Sequence, residues 1–201
     1  MKIVEQYVSG LKKAYIENGA SKDWNEFENI KHGISETDIT KLRTEYPDIP
    51  DSLMSLLEYV DGTYWREYKG KKIIFYFLGS DIEEYPYYLL SAEQIIKTKN
   101  EAFDYYGDYV DRDFGEDVPV DEKIIDNSNC MNWLHFSDCM NNGGTSQLFI
   151  DFSPSEKGVN GQIIRYLHDP DEIEVIAESF DEYLKMIIEN SYDFINEDTV
   201  E

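Results

Sequence analysis

The chain has 201 residues, 41% of them hydrophobic, with 42 Asp and Glu against 18 Lys and Arg and a formal net charge of −24. That length fits one domain, and that apolar content suffices for a core, which argues against wholesale disorder. So negative a charge argues against a nucleic-acid backbone or an anionic membrane as partner and suits a basic protein met by fast, salt-sensitive association.

Ile3, Val4, Tyr7, Val8, Leu11 and Tyr15 recur at helical spacing until Asn18-Gly19, which predicts an amphipathic first helix. Residues 20–34 read as a loop or short irregular piece holding Trp24, Phe27 and Ile30. Ser35 to Asp38 resembles a capping box opening a second helix that must end near Tyr46, before Pro47. Pro50 suits the first turn of a third helix, with Leu53, Leu56, Leu57 and Val60 on one face and Gly62 as its stop. Lys69-Gly70-Lys71-Lys72 is a basic turn, and the apolar run Ile73–Leu78 reads as a buried strand. Tyr87–Leu90 is a short strand, and Ser91-Ala92-Glu93-Gln94 caps a helix continuing through Ile95, Ala102, Phe103 and Tyr106.

From Gly107 the character changes. Between Glu101 and Asp126 stand ten acids against Arg112 and Lys123, a local charge of −8. Phe103, Tyr105, Tyr106, Tyr109 and Phe114 are interleaved with those acids. Trp133, Leu134 and Phe136 then form a short strand punctuated by Ser137 and Asp138, and Asn141–Gly144 is a turn signal. Leu148, Ile150 and Phe152 fall at period two, Ser153-Pro154 breaks that strand, and Gly158 and Gly161 lead into Ile163-Ile164-Arg165. After an Asp169-Pro170-Asp171 turn, Ile173–Ala177 is a last strand, and Ser179 caps a closing helix with Phe180, Tyr183, Leu184, Ile187 and Ile188 on its apolar face. Residues 191–201 lack Lys and Arg and read as a frayed end. Helices at both ends with strands between give an α+β fold.

Signals for chemistry are weak. His32, His135 and His168 stand far apart and without a motif, and His135 points away from the face of Leu134 and Phe136. Neither Ser137 nor Cys139 sits in a nucleophile elbow, and Asn142-Gly143-Gly144 makes a turn rather than a phosphate loop. Cys130 and Cys139 lack zinc or disulfide-framework spacing and read as free buried thiols of a reducing cytosol. Asp111, Asp113, Glu116 and Asp117 offer hard oxygen ligands, but the calcium-loop pattern fails because Gly115 comes one place early. Asp151, at a strand end, suits a turn or cap role better than a catalytic one. No catalytic residue, metal ligand or cofactor is therefore expected. The N-terminal stretch lacks the apolar core of a signal peptide, and no run of about 18 apolar residues could span a membrane, so a cytoplasmic location is expected.

The order of these pieces (IPDSLMSLLEYVDGTYW, a hydrophobic strand, WLHF, SQLFIDFSP with GVNGQIIRY, and IAESFDEYLKMII) resembles the SUKH superfamily. That superfamily includes a yeast cell-wall assembly regulator and many bacterial immunity proteins. The resemblance rests on Pro50 and its helix to Gly62, Trp133 with Phe136, Asp151, Gly158, Gly161, and Phe180 with Leu184, and covers about residues 35–190 of a single domain spanning 1–201. It implies helices packed on a central, mostly antiparallel sheet, and a non-catalytic binding role. Bacterial members neutralise toxins, often nucleases, by direct binding in the cytoplasm. The longer 101–130 segment departs from a minimal member and is expected to be the partner-binding insertion, through Tyr105, Tyr106, Tyr109, Asp111, Asp113, Glu116 and Asp117. A regulatory adaptor of the cell-wall regulator kind is the alternative.

Overall fold

A computed structural model describes residues 2–68, 70–82, 85–141 and 144–200. The tip of the turn expected at Asn141–Gly144, and Lys69 of the basic turn, lie outside them. Helix α1 (Lys2–Glu17) buries Val4, Tyr7, Leu11 and Tyr15, the stripe that the sequence spaces at three and four. The stretch expected as a loop instead forms helix α2 (Ser21–Ile30). Trp24 and Phe27 lie one turn apart and are both buried, so a helix is what places both rings in the core together. In α3 (Glu36–Glu45) the Ser35 hydroxyl oxygen accepts from the Asp38 N–H, and α4 (Asp51–Tyr59) starts just after Pro50, which occupies the cap.

The expected strand Ile73–Leu78 is mostly not a ladder. Only Ile73 belongs to one, in a hairpin of β1 (Arg66–Tyr68) with β2 (Lys71–Ile73). Beyond it the backbone bonds are shared between two loops: Phe75 N–H donates to Thr63 O at 3.0 Å and Phe77 N–H to Tyr87 O at 2.9 Å. The apolar run signals burial of Phe75, Phe77 and Leu78, whereas Ile74 faces outward. A hydrophobic run does not by itself decide how the backbone is paired.

Five strands form the main sheet, in the order β3 (Tyr88–Leu89), β4 (Trp133–Asn141), β5 (Gly144–Asp151), β6 (Gln162–Leu167), β7 (Glu172–Ala177), each antiparallel to its neighbour. The expected α+β architecture with helices at both ends is therefore present. β4 does not stop at Ser137: the Ser137 hydroxyl donates to Tyr88 O at 2.9 Å, and the ladder runs on past a register shift between His135 and Ser137. His135 does point away from Leu134 and Phe136; it is buried against Phe149, their ring centroids 4.9 Å apart.

Both faces of this sheet are covered. Leu134, Phe136, Leu148, Ile150 and Ile163 join the core made with α1, α2, α4 and α7 (Phe180–Glu189). Trp133, Phe149, Ile164, Tyr166 and Ile173 form a second cluster on the other face. The helix expected to run from Ser91 to Tyr106 is in fact two, α5 (Ala92–Lys97) and α6 (Glu101–Val110). At the break the Thr98 hydroxyl donates to Gln94 O at 3.0 Å, the side-chain competition that ends helices. That break carries the chain across: Ile95 belongs to the first cluster, and Ala102, Tyr106 and Val110 to the second.

Residues 191–200, expected to fray, fold back. Tyr192, Phe194 and Ile195 are buried, and the Tyr192 hydroxyl donates to Tyr7 O at 2.9 Å. The absence of basic residues there had masked three large apolar anchors. Of the two thiols only Cys139 is buried, with its pKa pushed up to about 12 chiefly by that burial; Cys130 is exposed, contrary to expectation, because it sits in a surface turn.

Arg165 of β6 is 2% exposed and gathers three carboxylates. Its guanidinium donates to both oxygens of Asp81, at 2.7 and 3.0 Å, to Glu172 at 2.7 Å and to Glu174 at 3.2 Å. This pins the turn after Gly79 onto the sheet. Replacing Arg165 by Ala strands those carboxylates, and equilibrium urea unfolding should show a loss of about 3–5 kcal/mol.

Candidate functional site

α6 forms because Ala102, Tyr106 and Val110, at i, i+4 and i+8, are buried on one side. Its opposite side carries Asp104, Tyr105 and Asp108 into solvent, with Tyr105 70% exposed. Phe103 and Phe114 are also about half exposed, at 46% and 48%.

The seven expected contact positions divide into distinct environments. Tyr106 is only 6% exposed; its ring lies 4.1 Å from that of Tyr166 and its hydroxyl donates to Gln147 Oε1, so the side chain is committed inside the fold. Tyr109 is partly buried, with its hydroxyl donating to Asp171 at 2.6 Å. Asp111 is exposed, but its carboxylate accepts from the Ser128 N–H at 2.6 Å and the Ser128 hydroxyl at 2.7 Å, bonds that hold its pKa below the usual carboxylate range. Asp113 and Asp117 stand free on the surface. Glu116 lies in the short turn Gly115–Asp117, its side chain outside the described set.

The segment is tied down. Arg112 adopts a positive φ of 63°, and its guanidinium donates to Ile124 O at 3.2 Å and to Val110 O. Asp171 collects the hydroxyls of Tyr109 and Tyr166 and lies 2.5 Å from His168 Nδ1. Partial burial opposes ionisation of Asp171, yet these donors hold its pKa below normal. None of this was visible locally, since Asp171 had read only as a turn residue. Asp151 is fully buried; its Oδ1 accepts from Ser153 N–H at 2.8 Å and its Oδ2 from Gln162 Nε2 at 2.9 Å, the turn role expected of it. Among the described residues no group of three or more His, Cys, Asp or Glu is placed to hold a metal ion. Among them, too, no helix is long and apolar enough to cross a membrane.

The model of the SMI1 / KNR4 family (SUKH-1) matches residues 33–186. The chain belongs to that family. The match takes in α3, α4, both sheets and most of α7, and leaves α1 and α2 outside. No curated protein matches the chain in sequence. SUKH-1 membership points to protein–protein interaction in general terms.

One carboxyl near α6, expected from the sequence only to punctuate a strand, lies within the ladder. Asp138 of β4 is opposite Gln147, the residue that accepts from Tyr106. Burial pushes its pKa up to about 6, with Glu101 adding to the rise and Gln147 opposing it. A folded-state pKa above the unfolded one means stability that is full below pH about 4 and lost as pH rises through about 6. Asp138→Asn should therefore gain roughly 1–3 kcal/mol over the native chain at neutral pH and nothing below pH about 4, read by urea unfolding across that range.

The tyrosines separate by the same measurement. Tyr106→Ala should cost about 3–5 kcal/mol, as for other buried aromatics, whereas Tyr105→Ala should change stability by less than about 0.5 kcal/mol.

Proposed function

We propose that this chain is an immunity-type protein that binds and neutralises a basic, nuclease-like bacterial toxin by occluding its active site. In this reading the whole chain is one SUKH domain working in the cytoplasm by binding rather than catalysis. The 101–130 segment is the insertion that engages the toxin.

The observation that carries the reading is the two-sided character of α6. Its buried side fixes it on the sheet, so Asp104, Tyr105 and Asp108 are presented on a rigid support. Rigid aromatic anchors among acids suit an electropositive groove. Asp104 sits in the first turn, where the helix dipole favours it, but Asp108 is held against the helix's own preference. Asp108 lies toward the C-terminal end, where the helix dipole disfavours negative charge, and the last turn has no basic residue. A carboxylate kept at such a position is consistent with selection for binding. Phe103, Phe114, Asp113 and Asp117 extend the surface, while Tyr106 and Tyr109 support it from beneath.

The test uses a basic nuclease toxin domain, sought first among the genes that neighbour this chain's own. Tyr105→Ala and the pair Asp104→Lys with Asp108→Lys should each weaken binding by about tenfold or more, the first through faster dissociation and the second through slower association with a flatter salt dependence. Co-expression should rescue growth with the native chain and fail with the charge variant. Affinity independent of salt overturns the electrostatic reading, and a bound but still lethal toxin favours the adaptor role.

A further inference from the structure

On the helical side of the sheet, away from α6, helices α1, α2 and α4 converge on a groove of about 460 Å³. Volumes of this order accept a few side chains or a small ligand. Its floor is apolar, formed by Val8, Trp24 and Tyr59, and its rim bears Glu5 and Glu58, with Lys12 as the opposing charge. We infer that this groove docks a basic, apolar segment of a protein partner.

The lining itself points to that chemistry. Trp24 is fully buried, yet its indole N–H has no acceptor among the described residues. Its ring thus closes the floor from beneath and serves as a reporter of the groove rather than as a contact. Two lining residues, Tyr59 and Glu28, already hold an ammonium of this chain. Lys31 Nζ stands 3.8 Å above the Tyr59 ring and 3.8 Å from Glu28, whose other oxygen accepts from the Tyr59 hydroxyl. The chain's own lysine thus exhibits the pairing, aromatic face plus carboxylate, that Glu5 and Glu58 extend along the rim.

Charge selects the occupant. Residues 191–200 carry no Lys or Arg, and a second copy carries the same net −24, so neither approaches an acidic rim favourably. A foreign basic segment does. The groove draws on α1 and α2, which lie outside the matched residues, and on α4, which lies within them. It stands independently of whether α6 engages a toxin.

The probe is a synthetic amphipathic peptide with Leu and Lys at helical spacing, titrated into the full chain. The side-chain N–H resonances of the three tryptophans are followed by NMR. The Trp24 signal should move, while those of Trp65 and Trp133 stay. Glu5→Lys with Glu58→Lys, both exposed positions, should weaken binding about tenfold or more. Asp104→Lys with Asp108→Lys makes the same change in net charge on α6 and should leave peptide affinity within about twofold. Equal losses in the two pairs, an unmoved Trp24 signal, or equal binding of the Leu/Glu counterpart overturns the inference. Self-association that the groove pair abolishes, seen by sedimentation, overturns it in favour of a second copy. Because the α6 pair is read separately against the toxin, failure at one surface is distinguishable from failure at the other.

Discussion

The fold depends on the burial of both faces of one antiparallel sheet. Along β5 the side chains alternate, Leu148 and Ile150 to one cluster and Phe149 to the other. An antiparallel sheet can leave one face to water, but this one cannot, because Phe149, Ile164, Tyr166 and Ile173 would be exposed together. The 101–131 segment is therefore a layer of the protein. It supplies Tyr106, Val110 and Ile124 to that second face and shows its acids outward from a fixed base.

Electrostatics follows the same division between inside and outside. The buried cation Arg165 is surrounded by Asp81, Glu172 and Glu174, so its charge is balanced locally. Burial alone would lower its pKa, but the Asp81 and Glu172 bonds outweigh that and raise it. Outside, pairs such as Lys13–Glu17 and Lys71–Glu26 are exposed and each adds little. With 42 acids against 18 bases most carboxylates have no such partner available, and the surplus remains a surface field. That field works at the expense of compactness, which makes the tightly satisfied interior, with Arg165 and Asp151 at its centre, the more necessary.

What the sequence made legible was whatever depends on local periodicity. The stripe of α1, the caps at Ser35, Ser91 and Ser179, and the alternation of β5 are all short-range patterns with a direct geometric cause. What escaped depends on partners far along the chain. Tyr106 and Tyr105 are adjacent and chemically identical, and only the positions of Tyr166 and Gln147 make one core and the other surface. Asp138 read as a breaker because its pairing with Gln147 and Tyr88 could not be seen from residues 133–141. Phe194 and Ile195 were hidden by their acidic neighbours, although burial follows the apolar side chains and not the average of the window. The acidic segment was legible as composition, and its division into supporting and presented residues was not.

The bond from Tyr192 to the backbone of Tyr7 joins residues 185 positions apart. A side chain at position 10 would collide with the same tyrosine ring, a clearance of 2.2 Å to its hydroxyl, so the two ends are fitted as well as bonded. α1 also packs on α7. During synthesis α1 can pack early on α2 and α4, but the part of its stripe that meets α7 and Tyr192 stays uncovered until those residues have been made. Contacts so distant in the chain are slow to close, and until they do the uncovered side of α1 is open to aggregation and proteolysis.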